Sequence, residues 1–427
     1  DTEDQAAADA PEDAGDKDKT EKPEKNDKTD KKNKPKRSAK ATKTVKPVKK
    51  SFGPGAVLLM ILTAVVFVVF CGWLSMKFNI NGRADEEEKP VYGVLGSYYG
   101  ALTAPEKRLY SELAFCADNS DTMSEILPFG VTSLEFDHAL TALTRDEADM
   151  FHIKVSGCAA DTSADKSVLT LAFRYDAATA GRMRSELRET AGKLADEIAP
   201  AEGGDAYDTI LALHDKLISL CVKYDGEGDN VSNAYGALVE GKANAEGYAY
   251  AVREVLTVLG IPSAVVYGSV GGEDHVWNIV SVGDEWYHLD CWFDDADSEL
   301  EPDMPMHAWF MVSDEVVADR SVDTGITLPE CGGEFDYYRR YAYSCGDADS
   351  LGGVLNTAIN NADHDGERFF ELLAPPEITR EEILDLTIDL IKDHNATRTA
   401  SMTPAPYPEA RIYPTGRAGA YTIELYY

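Results

Sequence analysis

The sequence predicts an α+β protein. Its expected core is one helix packed on an antiparallel sheet, with flanking α/β regions, one N-terminal transmembrane helix and a disordered N-terminal tail. Three observations support this prediction: an uncharged run at Gly55–Met76, a capped helix pattern after Asn244, and three strand patterns that follow it. The 427 residues predict two or three folded units, at roughly 100 to 200 residues per domain.

The charge is divided unevenly along the chain. Residues 1–50 contain 15 basic and 12 acidic side chains, whereas the remainder contains 26 basic and 63 acidic ones. Because a body this acidic repels phosphate at long range, we expect no nucleic-acid partner.

Two N-terminal segments precede the body. Residues 1–54 are rich in Lys, Asp, Thr and Pro and predict a disordered tail. The 22 uncharged residues at 55–76 match the hydrocarbon core of a bilayer, about 30 Å thick, and predict a transmembrane helix. A cleaved signal peptide fits poorly, because 54 residues come before the apolar run and no A-x-A cleavage pattern follows it.

Basic residues predict the orientation of this helix. Lys31–Lys50 holds ten Lys and Arg residues and no acid, whereas the other flank soon reaches Asp85 and Glu86. The positive-inside rule then places the N-terminus in the cytoplasm and the C-terminal body outside. The expected location is the cell membrane, crossed once, with the lipid bilayer as a partner.

Residues 77–96 form the expected juxtamembrane linker, and 97–200 an extracellular α/β region. Its expected elements are a helix from the capping box at Thr103 to about Cys116, a helix at Ser133–Thr144, strands at Met150–Val155 and Val168–Tyr175, and a helix at Ala177–Ile198. No catalytic constellation is visible in this region.

Residues 201–333 carry the strongest patterns. The predicted elements are an amphipathic helix at Asp205–Val222, a helix from Asn244 to Gly260, and strands at Ser263–Gly268, His275–Val282 and Glu285–Trp292. The last two strands are joined by Gly283 and Asp284, which suit a type II′ turn.

The hairpin register predicts a pair of polar side chains. If Val282 faces Glu285, then Trp277 faces Asp290 and His275 faces Trp292, which makes His275 and Asp290 diagonal neighbours on one face. A histidine oriented by a carboxylate is the orienting half of a nucleophilic triad. A helix N-terminus is the favoured place for the missing thiolate, yet the helix after Asn244 begins with Ala245.

These residues resemble the transglutaminase-like superfamily, which carries a papain-type Cys-His-Asp core. The family's C-[EQ]-G-Y-A, H-[AV]-W-N and W-Y-x-[LV]-D motifs are matched by Ala245–Ala249, His275–Asn278 and Trp286–Asp290. Further similar segments are His214–Asp215, Ala234–Leu238, Trp292–Asp295, Trp309–Ser313 and Leu328–Cys331, the last two resembling the bacterial surface-protein branch. The resemblance implies catalytic positions at Ala245, His275 and Asp290, with alanine where the family has its nucleophilic cysteine.

Three functions stay open. The chain is a degenerate member that binds an extracellular peptide, protein or cell-wall component; or its parent is an active thiol acyltransferase or cysteine peptidase whose nucleophile was mutated; or it is a structural surface module. We expect no cofactor and no metal, since neither CxxC nor HExxH occurs. The acids from Asp294 to Asp303 are interpreted as a solvated loop.

The C-terminal region 334–427 is expected to be a small α/β addition. Thr379 and Glu382 predict a capped helix to about His394, and Arg411–Tyr427 is strand-like. Six cysteines follow Cys71, which permits three disulfides, and Cys331 with Cys345 is the first pair to test.

Overall fold

The fold is taken from a computed structural model of the chain. The structure describes residues 97–119, 125–127, 129–162, 166–199, 205–295, 306–323, 325–397 and 409–426. The predicted tail, transmembrane helix and linker at 1–96 lie outside these residues. Among the helices of the described ranges, none has the length and apolarity needed to cross a membrane.

The N-terminal region is a helical layer beside a small sheet. Its elements are α1 (Tyr98–Ala101), α2 (Ala104–Asn119), β1 (Glu125–Leu127), α3 (Ser133–Asp146), β2 (Ala159–Thr162), β3 (Ser167–Thr170) and α4 (Ala177–Ile198). The sheet is antiparallel in the order β1-β3-β2. As predicted, Thr103 and Glu106 form a capping interaction at the start of α2, and α4 has the expected bounds.

One strand prediction in this region is wrong and another is too long. Met150–Val155 forms short 3-10 turns at Ala148–Met150 and Val155–Gly157, with a single bridge between Ile153 and Phe173. Met150 and Ile153 are buried at a three-residue spacing, which 3-10 geometry provides, whereas the two-residue period of a strand would place them on opposite faces. The strand expected at Val168–Tyr175 ends at Thr170.

The central region packs a helix on an antiparallel sheet, as the sequence predicts. Its elements are α5 (Ala206–Leu220), β4 (Val222–Lys223), a π-turn (Gly236–Glu240), β5 (Lys242–Ala243), α6 (Ala245–Leu259), β6 (Ser263–Val270), β7 (Glu273–Val282), β8 (Glu285–Leu289), α7 (Cys291–Asp294), β9 (Phe310–Val312) and β10 (Arg320–Val322). The five-stranded sheet has the order β10-β6-β7-β8-β9. The apolar stripe of α6 is buried against α5 and the sheet.

The predicted β7–β8 register is confirmed. Val282 pairs with Glu285 and Asn278 pairs with Leu289, so the five pairs that form between these strands follow the expected spacing. Gly283 has a φ of 63°, as the first central position of a type II′ turn requires. This register extends to Asn278, whereas His275 lies beyond it on β7 and pairs with Gly268 of β6.

The C-terminal region has its own sheet and apolar cluster. Its elements are α8 (Tyr337–Arg340), β11 (Tyr343–Ser344), α9 (Ala348–Asp365), β12 (Phe369–Leu373), α10 (Arg380–Thr397), β13 (Glu409–Pro414) and β14 (Ala420–Tyr426), with strand order β11-β12-β14-β13. Helices α9 and α10 bury Leu355 and Ile383 against this sheet. The capping box at Thr379 is present.

Among the described residues, no two cysteines are joined by a disulfide. The pair proposed for testing is not joined, because Cys331 packs in the cluster around Trp277 whereas Cys345 packs against the C-terminal cluster. The division into regions at 97–200, 201–333 and 334–427 stays a prediction.

Candidate functional site

Ala245 is the first residue of α6 and presents a methyl group. Its helix start is fixed by Asn244, whose Oδ1 accepts from the Gly247 amide at 3.1 Å while Nδ2 donates to Ser232 Oγ at 2.7 Å. Gly247 allows a close chain approach, since a Cβ there would lie 2.5 Å from the Val231 carbonyl oxygen. The position has the helix dipole that lowers a thiol pKa, but the side chain has no group to ionise.

His275 and Asp290 form the predicted pair. Nε2 of His275 donates to Oδ2 of Asp290 at 2.8 Å, and both side chains are buried. The ring of His275 also lies against Phe293, with 4.6 Å between ring centroids. With Nε2 committed to the carboxylate, Nδ1 is the nitrogen that can exchange a proton with a nucleophile.

The pair is built differently from the prediction. Strand β8 ends at Leu289, so the expected pairings of His275 with Trp292 and of Trp277 with Asp290 are not formed. Asp290 instead caps α7, because its Oδ1 accepts from the Phe293 amide at 3.2 Å. One carboxylate therefore uses Oδ1 to cap α7 and Oδ2 to orient the histidine.

The helix start and His275 lie toward the same end of the α6–β7 contact. Nδ2 of Asn278, three residues after His275, donates to the carbonyl of Ala249, four residues after Ala245, at 3.0 Å. Further along both elements, Val280 packs in one cluster with Val252 and other α6 residues. The hydrogen bond from Asn278 to Ala249 joins the two elements three residues after His275 and four residues after position 245.

Short helix α7 connects these two positions. Tyr248 of α6 contacts Trp292 edge to face at 5.7 Å, and the neighbouring Phe293 contacts His275. Ala245 and Phe293 pack against the same apolar cluster. The segment that follows Asp290 therefore spans from the histidine ring to the first turn of α6.

Arg320 is a site residue that the sequence analysis missed. Its side chain is 1% exposed, and its Nη1 donates to Oδ2 of Asp290 at 2.7 Å. The guanidinium lies over the rings of Trp277, Phe293 and Trp309, at 4.6 to 5.3 Å from their centroids. No local motif marks Arg320, because it reaches the site through the pairing of β10 with β6.

The charges around Asp290 keep it ionised. Burial alone would raise the pKa of this carboxyl, but the neighbouring His275 and Arg320 lower it to about 2. An ionised Asp290 can fix the histidine tautomer and stabilise the imidazolium that would form beside a thiolate.

The native thiols are poorly suited to replace the missing nucleophile. Burial raises the pKa of Cys221 and of Cys331 to about 12, and raises that of Cys291 well above its ordinary value. Cys291 follows Asp290 but packs into the central apolar cluster. A thiol is nucleophilic as its thiolate, so these three are inert near neutral pH.

The prediction that the acids from Asp294 onward form a solvated loop is wrong for Asp294. This residue is fully buried in α7, and its carboxylate accepts from Nε2 of His214 at 3.2 Å and from the Trp309 amide at 3.0 Å. Asp295, next to it, accepts from the hydroxyl of Tyr248. These two acids hold α7 in place, whereas residues 296–305 lie outside the described ranges.

A cavity of about 450 Å³ adjoins the start of α6. Its charged and polar lining includes Arg145, Arg174, Asp229, Ser232, Glu246 and Tyr267. Glu246 directly follows Ala245 and accepts from the Tyr267 hydroxyl at 2.5 Å. Within the described lining, the cavity reaches position 245 through Glu246 and does not include His275 or Asp290.

The comparisons with known proteins agree with the motifs. The family model of the transglutaminase-like superfamily matches residues 192–291, a range that contains Ala245, His275 and Asp290. No curated protein matches the chain.

Solved structures with similarity include a candidate cysteine protease from Cytophaga hutchinsonii, at 13% identity and a TM-score of 0.22, covering 31% of this chain and 55% of that one. A TGase has 12% identity and a TM-score of 0.23, covering 42% and 57%. Menin has 14% identity and a TM-score of 0.24, covering 54% and 49%. The chain thus spans about half the length of the solved structures it matches.

On the family match, residues 192–291 form a transglutaminase-like domain.

Proposed function

We propose that the protein is a membrane-anchored, outward-facing bacterial transglutaminase-like protein that binds a peptide, protein or cell-wall component without turning it over. The observation that carries this proposal is Ala245, a methyl group at the nucleophile position of an otherwise assembled site. Formation of a thioacyl intermediate needs a sulfur atom there, and alanine offers none.

Binding is assigned to the cleft at the start of α6. The cavity beside Glu246 presents cations from Arg145 and Arg174 and carboxyl groups from Asp229 and Glu246, which suits an extended polar ligand such as a peptide. Burial raises the pKa of Glu246, so this side chain keeps its proton to a higher pH than an exposed glutamate does.

A cavity-filling variant tests the binding. Thr141 lines the cavity from α3, so Thr141→Trp should block it. Thr257 is exposed on α6, and Thr257→Trp is the matched control. The full chain should co-sediment with isolated cell walls or bind members of a peptide array, with at least a tenfold loss in Thr141→Trp alone. Equal binding by both variants would assign recognition to another surface and favour the structural-module function.

Inactivity has a separate test. The full chain should give neither amine incorporation nor peptide hydrolysis, and an electrophilic cysteine-protease probe should label no thiol in a manner that depends on His275. Labelling of a native cysteine that disappears in His275→Ala would demonstrate a substitute nucleophile and end the pseudoenzyme proposal.

The second candidate is a working thiol enzyme whose cysteine was replaced by alanine. The intact pair of His275 and Asp290, together with the Asn244 cap, favours it, because a long-unused site has no catalytic reason to keep them. The codon at position 245 in the source gene distinguishes the two: a cysteine codon supports the working enzyme, and an alanine codon supports the natural pseudoenzyme.

We propose the membrane anchor and its orientation from the uncharged run at 55–76 and the basic block at Lys31–Lys50. External protease added to intact cells should digest the body and spare an epitope placed before Lys31. Protection of the body would contradict the proposed orientation.

A further inference from the structure

A second buried polar cluster lies at the side of α5. Oδ1 of Asp215 is 2.9 Å from Nδ1 of His214 and 2.9 Å from Nε2 of His307. These three atoms all lie within 4.8 Å of one another. The two imidazoles are buried, whereas Asp215 is half-buried and reaches solvent.

Each imidazole of this cluster has a second carboxylate on its other nitrogen. Nε2 of His214 donates to Oδ2 of Asp294 at 3.2 Å, and Nδ1 of His307 donates to Oε2 of Glu371 at 2.9 Å. A histidine whose far nitrogen is held by a buried carboxylate is the usual arrangement behind a metal ligand, because it fixes the tautomer and raises the basicity of the near nitrogen.

The cluster is rigidly supported. The backbone amide of His307 donates to Oε1 of Glu371 at 2.8 Å, and its ring stacks on Tyr337 at 3.9 Å between centroids. The rings of His214 and His307 are 5.1 Å apart. Three separate parts of the chain thus hold the two inward nitrogens facing the same carboxylate oxygen.

We propose that His214, Asp215 and His307 bind one zinc ion. Zinc takes imidazole nitrogen at about 2.0–2.1 Å and carboxylate oxygen at about 2.0–2.2 Å, so tetrahedral ligands lie about 3.3 Å apart. The two 2.9 Å N–O separations are about 0.4 Å shorter than this, so the Asp215 carboxylate has to move away from both imidazoles to admit the ion. Two nitrogens and one oxygen suit zinc, since calcium and magnesium select oxygen ligands.

The ion would link the site of the His275–Asp290 pair to the C-terminal region. Asp294, which orients His214, belongs to the short helix α7 that Asp290 caps. Glu371, which orients His307, belongs to β12. Zinc at Asp215 would therefore hold α7, and with it the Phe293 contact to His275, in one position. This inference does not depend on the identity of residue 245.

Cobalt titration tests the site directly. The full chain is stripped with chelator and titrated with Co²⁺, and zinc is then added as a competitor. We expect one Co²⁺ per chain with visible d–d absorption and no thiolate charge-transfer band, displaced by one equivalent of zinc. Asp215→Asn and His307→Gln should each weaken binding at least tenfold. Asp208→Asn, an exposed aspartate on the same helix, should bind as the parent does.

Two outcomes overturn the proposal. A thiolate charge-transfer band would place the metal at the other described cluster, His288 with Asp314 and Cys331. Unchanged affinity in Asp215→Asn would show that the hydrogen-bonded cluster binds no metal. Circular dichroism of the metal-free chains checks folding, and if one variant fails to fold, the other supplies the comparison.

Discussion

Arg320 donates a 2.7 Å hydrogen bond to Oδ2 of Asp290, the same oxygen that accepts from His275 at 2.8 Å. The carboxylate is thus shared between a fixed cation and the imidazole. Such sharing keeps Asp290 ionised.

Removal of the Asp290 charge should be costly because it leaves Arg320 buried without its partner. We expect Asp290→Asn to lower the free energy of unfolding by about 3 kcal/mol, the lower end of the range for breaking a buried ion pair. In Asp290→Asn/Arg320→Met the loss should be smaller than in Asp290→Asn alone, as measured by urea denaturation. A double variant that is less stable than Asp290→Asn would show that Arg320 acts mainly through its ring contacts.

Gly268 allows β10 to pack closely against β6, which places Arg320 beside Asp290. A Cβ at this position would lie 1.9 Å from the carbonyl oxygen of Ser321 and 2.8 Å from Cη2 of Trp277. Gly268→Ala should therefore displace β10 and cost about 2 kcal/mol, as overpacking does. In Gly181→Ala, a helical position with no atom within 4 Å, stability should instead rise by about 0.5–1 kcal/mol. Equal thermal denaturation of both variants would contradict the close approach of β10 to β6.

Glu254 on α6 should make stability depend on pH. Burial, with a contribution from Asp149, raises its pKa to about 7, from an ordinary value of 4.5. The folded state then binds more protons than the unfolded state between these values, so stability falls as pH rises from about 4.5 to 7.

Glu254→Gln should remove the fall in stability between about pH 4.5 and 7. We expect the variant to be more stable than the parent by about 1 kcal/mol at pH 8 and equally stable at pH 4, after allowance for solvent screening. Thermal denaturation at both pH values measures the difference, with the exposed Glu381→Gln as control. A pH-independent gain would mean that the glutamine acts through packing.

The parts of the site that the sequence predicted are those set by local rules. Asn244 caps α6 because a short polar side chain satisfies free helix amides, and Gly283 fixes the β7–β8 register through its positive φ. Both effects act within a few residues. The start of α6 and the pairing of β7 with β8 therefore follow from local rules.

The missed features depend on contacts distant in sequence. Arg320 reaches Asp290 through a strand pair that joins it to Val270, and Asp215 meets a histidine 92 positions away. The strand pattern of Glu285–Trp292 includes Asp290, whereas the strand ends at Leu289 and Asp290 caps α7. Composition and hydrophobic periodicity do not predict contacts between residues that are distant in the sequence.

The introduction of a thiol at position 245 tests most directly whether His275 and Asp290 can activate a nucleophile there. Ala245→Cys is treated with iodoacetamide across the pH range, and the modified peptide is quantified by mass spectrometry. A thiol on the first turn of α6, beside a histidine held by Asp290, should have its pKa lowered from about 8.5 into the range of roughly 3.5–7.5. We predict alkylation near pH 6 far faster than that of the native cysteines, and loss of most of this advantage in Ala245→Cys/His275→Ala. An ordinary pH profile near 8.5, unchanged by His275→Ala, would contradict the assembled site.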